Sequence, residues 1–239
     1  IPTMVVGAFF QKDPQAMIAH SGQYSNFSDL KNAPTVLVSK DGQFSFWKWM
    51  VNAHGFKDEQ VKPYAYNLAQ FLQDEKMVQQ AYGTAEPIYA AAAGAKPKTF
   101  LLADHGWTTY STTIEARTEM VQNNPDLIQR FMNASIEGWY NFLYGDRSAA
   151  YGLIMKDNPE MTKEKLDKEM AQFEKLGIID VGEALTKGIG AMDMDRVKSF
   201  HKLAIDSGII EAGSVDINKV ATDQFVNKGH GLDIKAKLK

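Results

Sequence analysis

The chain has 239 residues, 44% of them hydrophobic and 23% charged, which is enough for one large domain or two lobes with real cores. A net charge of -3 with no cluster of Lys or Arg beyond Lys235, Lys237 and Lys239 argues against a nucleic-acid partner. The absence of cysteine excludes disulfides, thiolate metal sites and cysteine nucleophiles, and no apolar run approaches the roughly 18 residues of a membrane span.

In chain order, Met4–Phe10 reads as a buried strand. Because it is already under way at Ile1, with no basic leader before it, the chain is expected to lack its true N-terminus and any targeting signal. Gln11 to Pro14 breaks the strand, Ala16–Ala19 resumes an apolar run, and Ser25–Lys31 has the pattern of one capped helical turn. Thr35–Ser39 is a β-branched strand and Lys40–Gln43 a turn, followed by a helix from Phe44 to His54 that Gly55 should stop. Further strands are expected at Val61–Tyr66, Met77–Ala81 and Thr99–Leu102, with helices at Asn67–Lys76 and Pro87–Ala95 between them. Asp104 to Trp107 reads as a loop with His105 solvated, and Tyr110–Ile114 as extended. This alternation predicts an α/β lobe with a mainly parallel sheet.

Beyond residue 118 the pattern is helical. Asn124-Pro125 caps a helix whose apolar residues, Trp139 and Tyr140 included, belong to a core. Helices are also predicted over Ser148–Met155, from Thr162, over Met194–Gly208 and over Asn218–Val226, with the lysine tail frayed. The division expected is 1–16 as part of a first lobe and a hinge, 17–113 as the α/β second lobe, and 114–239 as a mostly helical return to the first.

No Gly-x-Ser-x-Gly, phosphate-binding loop or dinucleotide fingerprint occurs, and Gly188-Ile189-Gly190 is expected to fall in the helical half, away from any strand. None of the five histidines pairs with another at metal-ligand spacing, so neither metal nor cofactor is expected. What recurs is aromatic and polar residues after strands: Phe10 and Gln11, Gln43 and Phe44, Tyr82 to Glu86, and Trp107 with Tyr110. In α/β folds such loops form the ligand crevice, a pattern that favours binding over catalysis. Within Ala81–Pro87, Tyr82 offers a ring and Glu86 an acceptor, a combination suited to a flat ligand bearing N–H groups; a plain strand-to-helix turn fits the same residues.

The chain resembles the solute-binding proteins of ABC importers, in the branch of nitrate, alkanesulfonate, taurine and thiamine pyrimidine-precursor binders. Ala81 to Pro87 is similar to that family's Gly-Tyr-x-Thr-Asn-Glu-Pro motif, with Ala81 and Ala85 as departures and Tyr82, Thr84, Glu86 and Pro87 kept. Phe10-Gln11-Lys12-Asp13-Pro14, Asp29-Leu30-Lys31, Asn124-Pro125-Asp126-Leu127, and Met192-Asp193 with Arg196 match further family segments in the same order. The resemblance implies a two-lobed periplasmic-binding-protein fold of type II, with part of the first lobe missing before Ile1. It also implies a monomeric receptor, periplasmic or lipid-anchored outside the cytoplasm, that hands a small ligand to an ABC permease. Tyr82, Thr84 and Glu86 carry over from the motif; Phe10, Gln11, Gln43, Phe44, Trp107 and Tyr110 are candidate ligand-binding residues by position. The alternatives are a nitrate, sulfonate or taurine binder, a pyrimidine-synthesising enzyme, disfavoured because its cysteine motif is absent, and the effector domain of a transcription regulator.

Overall fold

The structure is a computed structural model and describes residues 1–238. The chain divides into two units, unit 1 comprising Ile1–Lys12, Thr109–Ser199 and the segment from Asp216, and unit 2 comprising Asp13–Thr108 and Phe200–Val215. The expected limits therefore shift. The first crossing falls after Lys12 and the second after Thr108, and residues 200–215 belong to unit 2 rather than to the return. The cause is apolar spacing on the helix Met194–Asp206, where Phe200 and Leu203, with Ile209 beyond the helix, pack on the aromatic core of unit 2. Lys48 and Asn52 fasten that segment by donating to the carbonyls of Gly208 and Asp206 at 2.8 and 3.3 Å.

Unit 2 is built on a five-stranded sheet of β2 (Gln15–His20), β3 (Val36–Val38), β4 (Val61–Pro63), β5 (Val78–Tyr82) and β6 (Pro97–Leu101), in the order β4-β3-β5-β2-β6. β3 pairs parallel with β4 and β5, whereas β2 pairs antiparallel with both β5 and β6. A mainly parallel sheet is thus corrected to a mixed one. The four strands that alternate with helices run one way, and β2, which arrives directly from unit 1 without a crossover helix, runs the other. Ala16, Met17, Ile18 and Ala19 are fully buried, so β2 shows no apolar–polar alternation to mark it as a strand.

Side chains alternate across this sheet as a pleat requires. Met17, Ala19, Val36, Val38 and Val78 face a core of Phe27, Phe46, Trp49, Met50, Phe100 and Trp107. Ile18 and Ala81 face Phe71 and Ala90, and Leu37 faces Tyr64 and Met77 on the same side. The helix Phe46–His54 ends on Gly55, whose φ of 75° suits a residue without a Cβ. The short helices Ala69–Gln73 and Glu86–Ala92 cover the second face.

Unit 1 has a two-stranded antiparallel ribbon, β1 (Thr3–Phe10) with β7 (Ser111–Arg117), whose register shifts between Val5 and Gly7. Its main helix, Pro125–Tyr144, buries Ile128, Met132, Ile136 and Tyr140 at every fourth position, one stripe of an amphipathic helix. Trp139 is partly buried against Phe9 and Phe10, at 5.8 and 6.0 Å between ring centres. The helix Lys163–Leu176 begins at Thr162, whose hydroxyl accepts from the Lys165 N–H at 3.2 Å, and stops at Gly177.

Three further expectations change. The predicted helix over 218–226 is only the turn Ile217–Lys219, because the chain then pairs with β1: Val5 N–H donates to the Val220 carbonyl at 2.8 Å, and Thr222 N–H to the Val5 carbonyl at 2.9 Å. Gly190 likewise lies against a strand, its carbonyl accepting from Ala8 N–H at 3.0 Å. The tail is helical over Leu232–Leu238, and Lys235 makes a 2.7 Å ion pair with Asp180; Lys239 lies outside the described residues.

His105 is not a solvated loop residue. It ends a short 3₁₀ turn, Leu102–His105, and stacks on Phe27 at 4.2 Å, while His54 meets the same ring edge-on at 5.0 Å. Burial lowers the pKa of both imidazoles, and the neighbouring His105 lowers that of His54 further, although Asp104 opposes the shift at His105. The folded state therefore prefers them neutral. That contribution is complete above the ordinary imidazole pKa of about 6.5 and is lost as pH falls below it. The melting temperature should drop between pH 7 and 5, and His105→Phe, which keeps the stack without the proton, should flatten the drop in a calorimetric pH series.

Candidate functional site

The parallel strands β3, β4 and β5 end on one edge of the unit 2 sheet, where α/β folds place ligands. β3 leads into Ser39, which caps the single helical turn Lys40–Gln43: its Oγ accepts from Gly42 N–H at 3.1 Å, and its own N–H donates to Gln80 Oε1 at 2.7 Å. Gln43 folds back and donates through Nε2 to the Val38 carbonyl at 3.0 Å, so its amide secures the end of β3. Phe44, one residue on, is 61% exposed.

β5 ends at Tyr82. Gly83 N–H donates to the Pro14 carbonyl at 2.8 Å, and Ala85 N–H to that of Tyr82 at 3.0 Å, which turns the chain into the helix Glu86–Ala92. Glu86 closes the turn by accepting the Tyr82 N–H on Oε2 at 2.8 Å, and its Oε1 accepts the Tyr64 hydroxyl at 3.2 Å. Burial, with the Glu86 carboxylate second, holds the Tyr64 hydroxyl well above its usual range, so Tyr64 stays protonated and donates. Each carboxylate oxygen still has acceptor capacity, since an ionised carboxylate offers about four lone-pair positions.

Three tyrosines gather around that carboxylate. Tyr82 is half exposed, and burial followed by the charges of Asp13 and Glu86 raises its pKa. Tyr64 lies 5.1 Å from Tyr66 between ring centres, and Tyr66 is 69% exposed with a φ of 54°. Tyr64 and Tyr66 were hidden by the expected strand over 61–66. β4 stops at Pro63, and the Pro-Tyr-Ala-Tyr run at a strand end was the available signal.

Other candidates serve the scaffold. Thr84 is 4% exposed and does not line an open surface. Trp107 is a core residue: its indole N–H donates to Asp13 Oδ2 at 3.0 Å, and its ring meets Phe200 and Trp49 at 5.0 and 5.5 Å. Phe10, Gln11 and Tyr110 belong to unit 1. Gln11 is buried and gives both amide hydrogens to the Ala8 and Ala191 carbonyls, at 2.9 and 2.8 Å. Phe10 packs edge-on against Phe173 at 5.3 Å. The Tyr110 hydroxyl accepts from Asp193 N–H at 2.8 Å, and the Arg196 guanidinium stacks 3.9 Å above its ring. Arg196 Nη2 donates to the carbonyls of Gln11 and Thr109 at 2.7 and 3.0 Å, joining the segments that flank the first two crossings. Among the described residues no group of three or more His, Asp or Glu is placed to hold a metal, and no helix is long and apolar enough to cross a membrane.

The chain has the α/β fold of the type II periplasmic binding proteins. It is similar to the periplasmic aliphatic sulphonate binding protein SsuA of Escherichia coli, at 14% identity and a TM-score of 0.62 over 91% of this chain and 68% of that one. It is also similar to the periplasmic sulfonate-binding protein SsuA of Methylobacillus flagellatus KT, at 10% identity and a TM-score of 0.57 over 98% and 70%. DSZB in complex with biphenyl-2-sulfinic acid shares the fold at 11% identity and a TM-score of 0.52 over 99% and 79%. No curated protein sequence matches the chain. Residues 1–149 match the NMT1/THI5-like family model, and the chain belongs to that family.

Trp107→Phe should destabilise the fold by about 2 kcal/mol, because the buried Asp13 carboxylate loses its indole donor. Urea denaturation measures the loss, and ligand affinity of the folded variant should be unchanged.

Proposed function

We propose that the protein is an extracytoplasmic receptor of an ABC importer that captures a small, flat, nitrogen-bearing solute, of which a thiamine pyrimidine precursor is the leading example. The observation that carries the reading is the Glu86 carboxylate, fixed by the Tyr82 N–H and the Tyr64 hydroxyl beside the half-exposed Tyr82 ring. A fixed acceptor beside an aromatic face suits amino or ring N–H donors on a stacked heterocycle. Family membership supports a binding role. Tyr82 and Tyr66 provide the stacking faces and Phe44 an apolar edge, while Gln43, Thr84 and Trp107 support the loops from behind. The receptor reading also implies a permease partner in the membrane and no catalytic step.

A sulfonate ligand is the second reading, favoured by the two sulfonate-binding proteins that share the fold. Against it stands the charge at the strand ends. An oxyanion needs donors, and the run Ala81–Pro87 brings a carboxylate with no Lys or Arg. An enzyme on this fold is the third reading, since DSZB is a desulfurization enzyme.

Glu86→Ala should weaken binding of an aminopyrimidine at least tenfold, about 1.4 kcal/mol or more for a charge-assisted hydrogen bond, with the fold retained. Titration calorimetry on the two proteins measures it. Unchanged affinity in Glu86→Ala, or displacement of the pyrimidine by an alkanesulfonate, would overturn the assignment.

A further inference from the structure

Unit 2 has a cavity of about 390 Å3 where β2 finishes at His20 and β6 starts just beyond Lys96. In the β2–β5 register Gln15 lies opposite Tyr82, so His20 marks the other end of the sheet and the cavity shares no residue with the site around Glu86. Leu72 and Glu75 line it from the helix Ala69–Gln73 and the turn after it, and Ala93 to Lys96 from the segment after the helix Glu86–Ala92. Ser21 N–H donates to the Lys96 carbonyl at 2.8 Å and ties the ends of β2 and that segment together. With a water occupying roughly 30 Å3, the volume equals about thirteen waters, ample for a small polar molecule.

Three polar groups of this lining have capacity to spare. His20 is held in two ways: its ring stacks on Phe71 at 4.2 Å, and its Nε2 lies 2.8 Å from the Phe71 carbonyl. A carbonyl only accepts, so Nε2 carries the proton, and in the neutral ring Nδ1 is a lone-pair acceptor with a fixed direction. Nδ1 has no partner in the protein and, unlike Nε2 of His201, is not sealed from solvent. Glu75 and Lys96 are exposed, and among the described residues neither side chain has a hydrogen bond or ion pair, with the other or with any third group. The cavity is therefore faced by one acid and one base that do not neutralise each other by contact, and by an oriented acceptor.

We propose that this cavity is a second binding site, for a small amino acid in its zwitterionic form. The ligand's ammonium donates to the Glu75 carboxylate and to His20 Nδ1, and its carboxylate accepts from the Lys96 ammonium. With one charge of each sign on the lining, a simple cation meets Lys96 and a simple anion meets Glu75, whereas a zwitterion makes a charge-assisted bond to both. A metal ion is disfavoured by the single imidazole and by the ammonium on the same lining.

The probe is β-alanine, titrated into the 15N-labelled full chain and followed by NMR. Sodium propionate and n-propylammonium chloride, which each lack one of its charges, are the controls. The site predicts saturable shifts at the His20 ring nitrogens and at the amides of Gly94 and Lys96, and none at the Gly83 amide, which reports on the turn before Glu86. Each control should bind at least tenfold more weakly, for the loss of one charge-assisted bond. Glu75→Gln and Lys96→Met, both at exposed positions, should each weaken β-alanine at least tenfold with the fold retained. Ala93→Trp, which narrows the cavity and leaves all three polar groups in place, should abolish the shifts. Absence of saturable shifts, meaning that water alone fills the cavity, overturns the site. So do shifts confined to Gly83, equal binding of β-alanine and either control, or binding that survives Ala93→Trp or either charge variant.

Discussion

Strand β2 enters the unit 2 sheet against the direction of the other four strands, and the candidate site is held in place by that entry. Its first residue, Gln15, pairs in register with Tyr82, and the Gln15 amide donates to the Ala81 carbonyl at 3.1 Å. The preceding Pro14 carbonyl takes the Gly83 N–H. Asp13, one step earlier, binds both the Gln15 N–H and the Trp107 indole. The turn that aims Glu86 is therefore braced from the start of β2 as well as from its own strand. Small residues allow it: Ala16 and Ala19 are fully buried between β5 and β6.

Polar side chains near the strand ends are mostly consumed by this bracing. Gln11, Gln15, Gln43 and Gln80 each bond backbone groups. What remains there for a solute is a carboxylate with spare lone pairs and several tyrosine faces. On the proposed reading, chemical selectivity rests on these few groups.

Much of the fold could be read from residue patterns. β-branched runs marked β3, the stop at Gly55 held, and Thr162 capped its helix as its type requires. The failures share a cause. β2 is buried on both faces and carries no alternation, the segment after Lys219 yields its helical preference to pairing with β1, and Lys235 is ordered by an acid more than fifty residues earlier. Tertiary partners decided each, and local sequence does not encode them. The site shows the same division. Tyr82 and Glu86 follow from a local turn, whereas the roles of Trp107 and Gln11 depend on Asp13 and on Ala191, far along the chain.

The pairing of β1 has a consequence for synthesis. Thr3 finds its partner in Arg117, and Val5 finds Val220 and Thr222, so the partners of the strand Met4–Phe10 within this sequence are translated much later than the strand itself. Such long-range pairing slows folding. Most of unit 2, Asp13–Thr108, is translated meanwhile, and lacks only the cover of Phe200, Leu203 and Ile209. Within this sequence, unit 2 can thus approach completion before β1 acquires the partners it has in the fold.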